Sequence, residues 1–185
     1  MTLPRGFKAQ AERDALRYRT ELGLAPADPL DAHRLARHLK VAVVSAEELV
    51  ARERLEEIER LQAFAFSAAT FKVAGRTVIV TNPLRTTGRL ASDIAHELGH
   101  LIRKHELNEV REVDGVPFRT CQPDEEEEAT ALGGTLLLPR PLLMQAALRG
   151  EGPDQIAEHN SVTLDMARYR FNTTGVSKQA ERRSG

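Results

Sequence analysis

The residues best suited to chemistry in this 185-residue chain are two histidines and a glutamate within the segment His96-Glu97-Leu98-Gly99-His100. Residues four apart on a helix project from one face, so both imidazoles can bind a single Zn²⁺. Glu97 then lies where its carboxylate can take a proton from water on the metal. The spacing therefore predicts a zinc-dependent hydrolase with His96 and His100 as metal ligands and Glu97 as the catalytic base.

The helix that carries this motif is predicted to begin at a cap formed by Thr86 or Thr87 and to extend to about His105. A step of about 100° per residue separates an apolar arc from a polar side. The arc contains Leu90, Ile94, Leu98, Leu101 and Ile102, and the polar side contains Asp93, His96, Glu97 and His100. Because ionisable groups inside a domain need partners, this pattern favours a metal site over an exposed polar face with two surface histidines.

A third ligand is needed, since a catalytic zinc site has three protein donors and one open position. Residues 123–129 read Pro-Asp-Glu-Glu-Glu-Glu-Ala, which is typical of a helix start, and the helix dipole alone can explain the acids. On this helix Glu126 shares a stripe with Thr130. We therefore predict Glu126 as the third ligand, with Glu125, one step round the helix, as the fallback.

Two glycines in the middle of the same helix, Gly133 and Gly134, call for a packing explanation. Glycine inside a helix costs about 1 kcal/mol relative to alanine. Their absence of a side chain would let another helix approach closely. The pair therefore predicts a tight helix contact beside Glu126.

These segments resemble the ImmA/IrrE family of zinc metallopeptidases, whose second motif is a Glu-x-x-Ala helix followed by an apolar stretch and proline. The similarity covers this second motif and several segments outside the two motifs. The matching segments are Glu126-Glu127-Glu128-Ala129, Leu136-Leu137-Leu138-Pro139, Tyr18-Arg19-Thr20-Glu21-Leu22-Gly23-Leu24, Pro29-Leu30-Asp31, Leu35-Ala36 and Ser92-Asp93-Ile94-Ala95. The resemblance implies that Glu126 is the third ligand. It also implies an endopeptidase that cuts a repressor-like protein, typically of helix-turn-helix type, in a stress or mobile-element response.

The chain departs from the family pattern where Thr130 replaces the usual Asn or Asp, Leu132 replaces Phe, and Gly133-Gly134 replaces Ala-Ala. A threonine hydroxyl can accept a hydrogen bond from an imidazole N–H, but it orients that ligand less than a carboxylate. Changes of this kind commonly cost 10- to 100-fold in metal affinity or activity. A catalytically weak zinc-binding module that regulates by protein binding is therefore the alternative.

A stabiliser for the oxyanion, beyond zinc itself, has no clear sequence signal. His105, His159, Tyr18 and Tyr169 are candidates by chemistry, although such residues are more often structural. Of these, His105 is predicted to project towards the apolar arc of its own helix, which argues against a fourth-ligand role.

Composition limits the class of protein and its partners. The chain is 41% hydrophobic and 29% charged, and no run approaches the ~18 apolar residues that span a bilayer. A net charge of −1 provides no general attraction to phosphate backbones, so nucleic acid is not favoured. One cysteine, Cys121, cannot form an internal disulfide, and residues 1–8 do not lead into an apolar stretch. We therefore expect a cytoplasmic protein with no membrane partner.

The predicted fold is an α+β, zincin-like domain with a small antiparallel sheet, an active-site helix and helical ends. Early helices include one capped by Asp31, and a first strand follows at residues 41–44. An amphipathic helix is predicted over residues 47–62, and an antiparallel hairpin within residues 63–80, around a glycine turn. The edge of this sheet could bind an extended peptide.

Domain organisation is predicted as a metallopeptidase domain over residues 1–150, a helix-turn-helix-like unit over residues 151–176, and a flexible tail over residues 177–185. Arg168 and Arg170 lie on the second helix of that unit. A DNA-binding regulator is therefore a third hypothesis, although docking against protein is favoured.

Overall fold

The computed structural model describes residues 3–63, 66–105, 110–113, 116–119 and 122–184, and Cys121 lies outside this set. Over the described residues the predicted α+β class is confirmed. The helices are α1 (Phe7–Glu21), α2 (Ala32–His38), α3 (Arg52–Leu61), α4 (Thr87–Arg103), α5 (Pro123–Leu137), α6 (Arg140–Leu148), α7 (Pro153–His159), α8 (Leu164–Thr174) and α9 (Val176–Ser184). The strands are β1 (Ala42–Ser45), β2 (Ala68–Val73), β3 (Arg76–Thr81), β4 (Val110–Val113) and β5 (Val116–Arg119). No helix in this described part is long and apolar enough to span a bilayer.

The main sheet has the order β1-β3-β2 and is mixed, whereas an antiparallel sheet was expected. β2 and β3 form the predicted hairpin, and their turn residues Ala74 and Gly75 have φ values of 48° and 76°, as a two-residue hairpin turn requires. The chain passes through α3 before entering β2 at the far edge. The hairpin then returns β3 through the middle, parallel to β1. A second, antiparallel pair, β4 and β5, was not predicted.

The amphipathic helix expected over residues 47–62 is shorter than predicted. Ser45 and Glu48 form a reciprocal cap on a short 3₁₀ turn, Ala46–Glu48. The backbone is extended at Ala51, the residue before α3 begins at Arg52. Ser45 therefore caps a separate short turn, and the predicted helix begins at Arg52 instead of residue 47.

The core lies between the sheet and helices α4 and α5. Ile94 and Leu98 on the apolar arc of α4 are fully buried, as are Leu136 on α5 and Ile79 on β3. Thr86 caps α4 by accepting from the backbone N–H of Arg89 at 3.4 Å. The sequence pattern of α4 therefore predicted both its start and its buried face.

The C-terminal helices join this core, because buried residues of α7, α8 and α9 belong to the same apolar cluster. Residues 177–184, which were predicted as a flexible tail, are part of helix α9, and their flexibility stays a prediction. Val176 and Ala180, four residues apart, are 0% and 5% exposed, and α9 packs against α6. These two small apolar residues lie on one face of a segment whose overall composition is polar, and Gln179 of α9 accepts a hydrogen bond from Arg140 of α6. The division of the chain at residue 150 stays a prediction.

Candidate metal centre

His96 and His100 on α4 and Glu126 on α5 converge on one point. The Nε2 atoms of the two histidines are 3.1 Å apart. Oε2 of Glu126 lies 3.2 Å from Nε2 of His96, and Oε1 lies 3.3 Å from Nε2 of His100. Among the described residues, these three form the group of His, Cys, Asp and Glu side chains that could hold a metal ion. Glu125, the fallback ligand, is not part of this group.

The donor set fits Zn²⁺ in chemistry and in spacing. Tetrahedral zinc with ligand atoms at about 2.0–2.1 Å requires those atoms to be about 3.3 Å from one another. The two Nε2 atoms are 3.1 Å apart, close to that value, and each faces a different oxygen of the Glu126 carboxylate, at 3.2 Å for His96 and 3.3 Å for His100. Hydrogen bonds from His100 and then His96 also hold the pKa of Glu126 far below its ordinary 4.5, so an ionised carboxylate faces both rings. The assignment of His96, His100 and Glu126 as zinc ligands stays a prediction.

Close packing of α4 against α5 brings the two halves of the site together. A Cβ built on Gly133 would lie 2.8 Å from the carbonyl oxygen of Ala95 and 2.9 Å from the backbone nitrogen of His96. A Cβ on Gly99 would lie 2.7 Å from the carbonyl oxygen of Ala129. The helices are thus in backbone contact through a glycine on each, next to the ligands. Gly134 instead faces the side chain of Arg170 on α8.

Gly133→Ala is expected to lower the free energy of unfolding by about 1–3 kcal/mol, because its methyl group meets rigid backbone. Gly134→Ala is the matched control. Its Cβ would meet Cδ of the buried Arg170 at 3.2 Å instead of backbone at 2.8 Å, and the gain in helix propensity of about 1 kcal/mol is the same at both positions, so it should cost clearly less than Gly133→Ala. Urea denaturation of the metal-free variants measures both. Equal effects of the two substitutions would contradict the helix contact described here.

Glu97, the predicted catalytic base, is buried beside the cluster at 5% exposure. The hydroxyl of Thr70 on β2 donates to Oε2 of Glu97 at 2.5 Å. This contact ties the carboxylate to the sheet and restricts its orientation. Sequence reasoning missed Thr70, because only the pairing of β2 with β3 and the packing of the sheet on α4 bring it to Glu97.

Thr130 lies where the sequence placed a partner for a ligand histidine. Its hydroxyl oxygen is 3.3 Å from Nδ1 of His96, the nitrogen that faces away from the cluster. A neutral hydroxyl at this distance gives weaker orientation than a carboxylate. The residue at which this chain departs from the family pattern therefore contacts His96, a predicted ligand.

A cleft of about 580 Å³ opens on the cluster between β2 and α8. Its walls include Ala68 of β2 together with Met166 and Tyr169 of α8. Among the described residues that line it, Tyr169 is the only member of the four oxyanion candidates. Tyr18 is buried in the core, and the side chain of His159 is 57% exposed beside Glu151.

Asp93 lies in the same cleft, one turn before His96, and is 9% exposed. Nε of Arg89 donates to Oδ2 of Asp93 at 3.1 Å and lies 2.9 Å from Oδ1. Burial raises the pKa of Asp93 above its ordinary 3.8, and the charge of Arg89 offsets only part of that effect. A carboxylate at this depth is therefore held at a cost to stability, which is characteristic of functional clefts.

Asp93→Asn is expected to be at least as stable as the unmodified protein at pH 7 when zinc is removed by a chelator. A carboxyl group whose pKa is raised by folding disfavours the folded state above that pKa, and the penalty disappears as the pH falls to 3.8. The advantage of the variant should therefore shrink towards pH 4 in urea titrations. Marked destabilisation at pH 7 would mean that the ion pair with the half-exposed Arg89 outweighs burial.

In this α+β domain, His96-Glu97-x-x-His100 lies on α4 and Glu126 lies on α5. Zinc metallopeptidases carry a His-Glu-x-x-His motif on a helix in this way. A family model described as the IrrE N-terminal-like domain, Peptidase_M78, matches residues 57–172. Because the match covers more than half of the chain, this chain belongs to that family, and the resemblance seen in the sequence is confirmed.

A solved structure described as a Mycobacterium tuberculosis transcriptional regulator is similar to this chain, with a TM-score of 0.55 and 18% identity. The alignment covers 91% of this chain and 47% of that one, so this chain spans about half of the regulator's length. At such low identity the likeness concerns the fold alone. A comparison with curated proteins finds no match.

Proposed function

We propose that this chain is a zinc-dependent endopeptidase that cleaves a regulatory, repressor-like protein in the cytoplasm. The observation that carries the proposal is the convergence of His96, His100 and Glu126 on one point, with Glu97 buried beside them. Membership of a peptidase family supports it. In this proposal His96, His100 and Glu126 hold the metal and Glu97 is the catalytic residue.

The mechanism assigns most of the proton chemistry to Glu97. When bound, Zn²⁺ supplies Lewis-acid chemistry that polarises a peptide carbonyl and acidifies water. The carboxylate of Glu97 takes the proton of the attacking water and returns it to the nitrogen of the leaving amine. The hydrogen bond from Thr70 keeps that carboxylate in one orientation during both transfers.

An extended segment of the substrate would lie along β2. This strand is at an edge of the main sheet, and Ala68 at its start lines the cleft. An edge strand offers backbone donors and acceptors to any sequence, which suits a peptide substrate. The adjoining wall from α8 then determines which side chains fit.

The direct test is metal-dependent cleavage. Purified protein is incubated with helix-turn-helix regulators encoded near its gene and with a proteome-derived peptide library, and new N-termini are identified by mass spectrometry. We expect one zinc per chain, cleavage that stops with a chelator, and recovery on adding Zn²⁺ back. Failure to bind zinc at micromolar concentration, or cleavage that persists with the chelator, would contradict the proposal.

A regulatory module that binds zinc and a protein partner without efficient hydrolysis is the second candidate, favoured by the neutral Thr130 beside His96. DNA binding through the C-terminal unit has less support. Arg170 is 6% exposed and donates to Glu12 and to the carbonyl of Leu138, so it cannot also contact phosphate. Salt-dependent affinity for duplex DNA would be needed to revive that hypothesis.

A further inference from the structure

His105 lies behind His100, on the side away from the cluster. Its Nδ1 is 3.0 Å from Nδ1 of His100, whereas Nε2 of His100 faces His96 and Glu126. The other ring nitrogen of His105 is 3.3 Å from Oε2 of Glu128 on α5. Four side chains therefore form a continuous row from the cluster to the surface of the two helices: His100, His105, Glu128 and Arg103.

Burial makes this row unlike an ordinary surface network. The side chains of His105 and Glu128 are only 8% and 12% exposed. The Glu128 carboxylate ends the row as an acceptor, and Arg103 donates to that same oxygen at 2.7 Å.

The direction of the hydrogen bonds follows from metal binding. An imidazole that gives its Nε2 lone pair to a metal carries its proton on Nδ1, which can then only donate. Nδ1 of His105 must therefore accept the hydrogen bond from Nδ1–H of His100, so His105 carries its own proton on Nε2. That proton in turn points to Glu128, so each ring has one tautomer that satisfies the whole row.

We propose that His105 and Glu128 are positioning residues of the metal centre, which hold His100 in the tautomer and ring orientation that present Nε2 to Zn²⁺. The inference rests on the proposed zinc site and extends it beyond the three ligands. Partners of this kind commonly change metal affinity 10- to 100-fold. Among the described residues, Nδ1 of His96 faces the hydroxyl of Thr130, whereas His100 is linked through His105 to a carboxylate.

The test compares two substitutions at one position in the full chain. His105→Phe keeps an aromatic ring but removes the nitrogen that accepts the hydrogen bond from His100. We expect it to weaken Zn²⁺ binding by about 10- to 100-fold, as measured by competition with a chelator. His105→Asn places an oxygen near the former Nδ1 and should restore most of the affinity. His159→Phe, at an exposed histidine, is the matched control and should bind Zn²⁺ normally.

A spectroscopic readout separates positioning from packing. In the zinc-loaded protein the Nδ1–H proton of His100 should give a slowly exchanging NMR signal, which is lost in His105→Phe and retained in His105→Asn. Glu128→Leu interrupts the row at its other end and should weaken Zn²⁺ binding in the same direction. Urea denaturation of the metal-free variants verifies that each is folded.

Two results would overturn the inference: unchanged zinc affinity in folded His105→Phe, or equal weakening by Phe and Asn. If the unmodified protein binds Zn²⁺ and His105→Phe changes nothing, only the positioning role fails. If the unmodified protein binds no Zn²⁺, the proposed peptidase fails and the positioning role fails with it.

Discussion

Replacing Glu97 by glutamine is expected to reduce peptide cleavage by at least about 100-fold while leaving one zinc bound per chain. An amide cannot take up the proton that hydrolysis releases, and general-base groups commonly contribute 10²- to 10⁴-fold. The amide oxygen can still accept from Thr70, so the local structure should survive. Metal analysis and the rate of appearance of new N-termini measure the two effects separately.

The same variant distinguishes the two leading functions. A peptidase loses its biological effect with Glu97→Gln, whereas a regulatory module that only binds its partner retains it. Thr70→Val is the companion variant, since it leaves the carboxylate in place but removes the hydroxyl that orients it. Full cleavage by Glu97→Gln would contradict the proposed role of this residue.

Glu126→Gln is expected to weaken zinc binding by more than about 100-fold, because it removes the one anionic donor of the cluster and leaves two imidazoles. Ligand loss should exceed the 10- to 100-fold effect of outer partners. The side chain is 37% exposed, so the fold should tolerate the change. Chelator competition gives the affinity, and thermal unfolding with and without Zn²⁺ gives an independent check through linkage.

Glu125→Gln is the matched control for that experiment. It removes the same charge one step round the same helix, and the helix dipole and net charge change equally in both variants. We expect Glu125→Gln to bind zinc normally. The opposite outcome would make Glu125 the third ligand and would contradict the geometry of α5.

Local pattern was sufficient for much of the fold. The apolar arc of α4, the Thr86 cap and the proline-initiated α5 could be predicted because helical periodicity and capping depend on residues within a turn or two. The hairpin turn at Ala74-Gly75 followed from similar short-range chemistry. The helix over residues 177–184 was not predicted, because its polar composition gives little local signal and its contacts with α6 are tertiary.

By itself, the sequence determined the chemistry available to this protein: an HExxH helix, an acidic second helix and a stripe that carries Glu126. These features can be predicted from the sequence because the helical repeat places residues four apart on one face. Tertiary structure alone decided which distant groups meet. Gly99 and Gly133 let α4 and α5 touch, Thr70 reaches Glu97 from the sheet, and His105 comes to lie between His100 and Glu128. Such contacts depend on packing distances between separate elements, which no local repeat encodes.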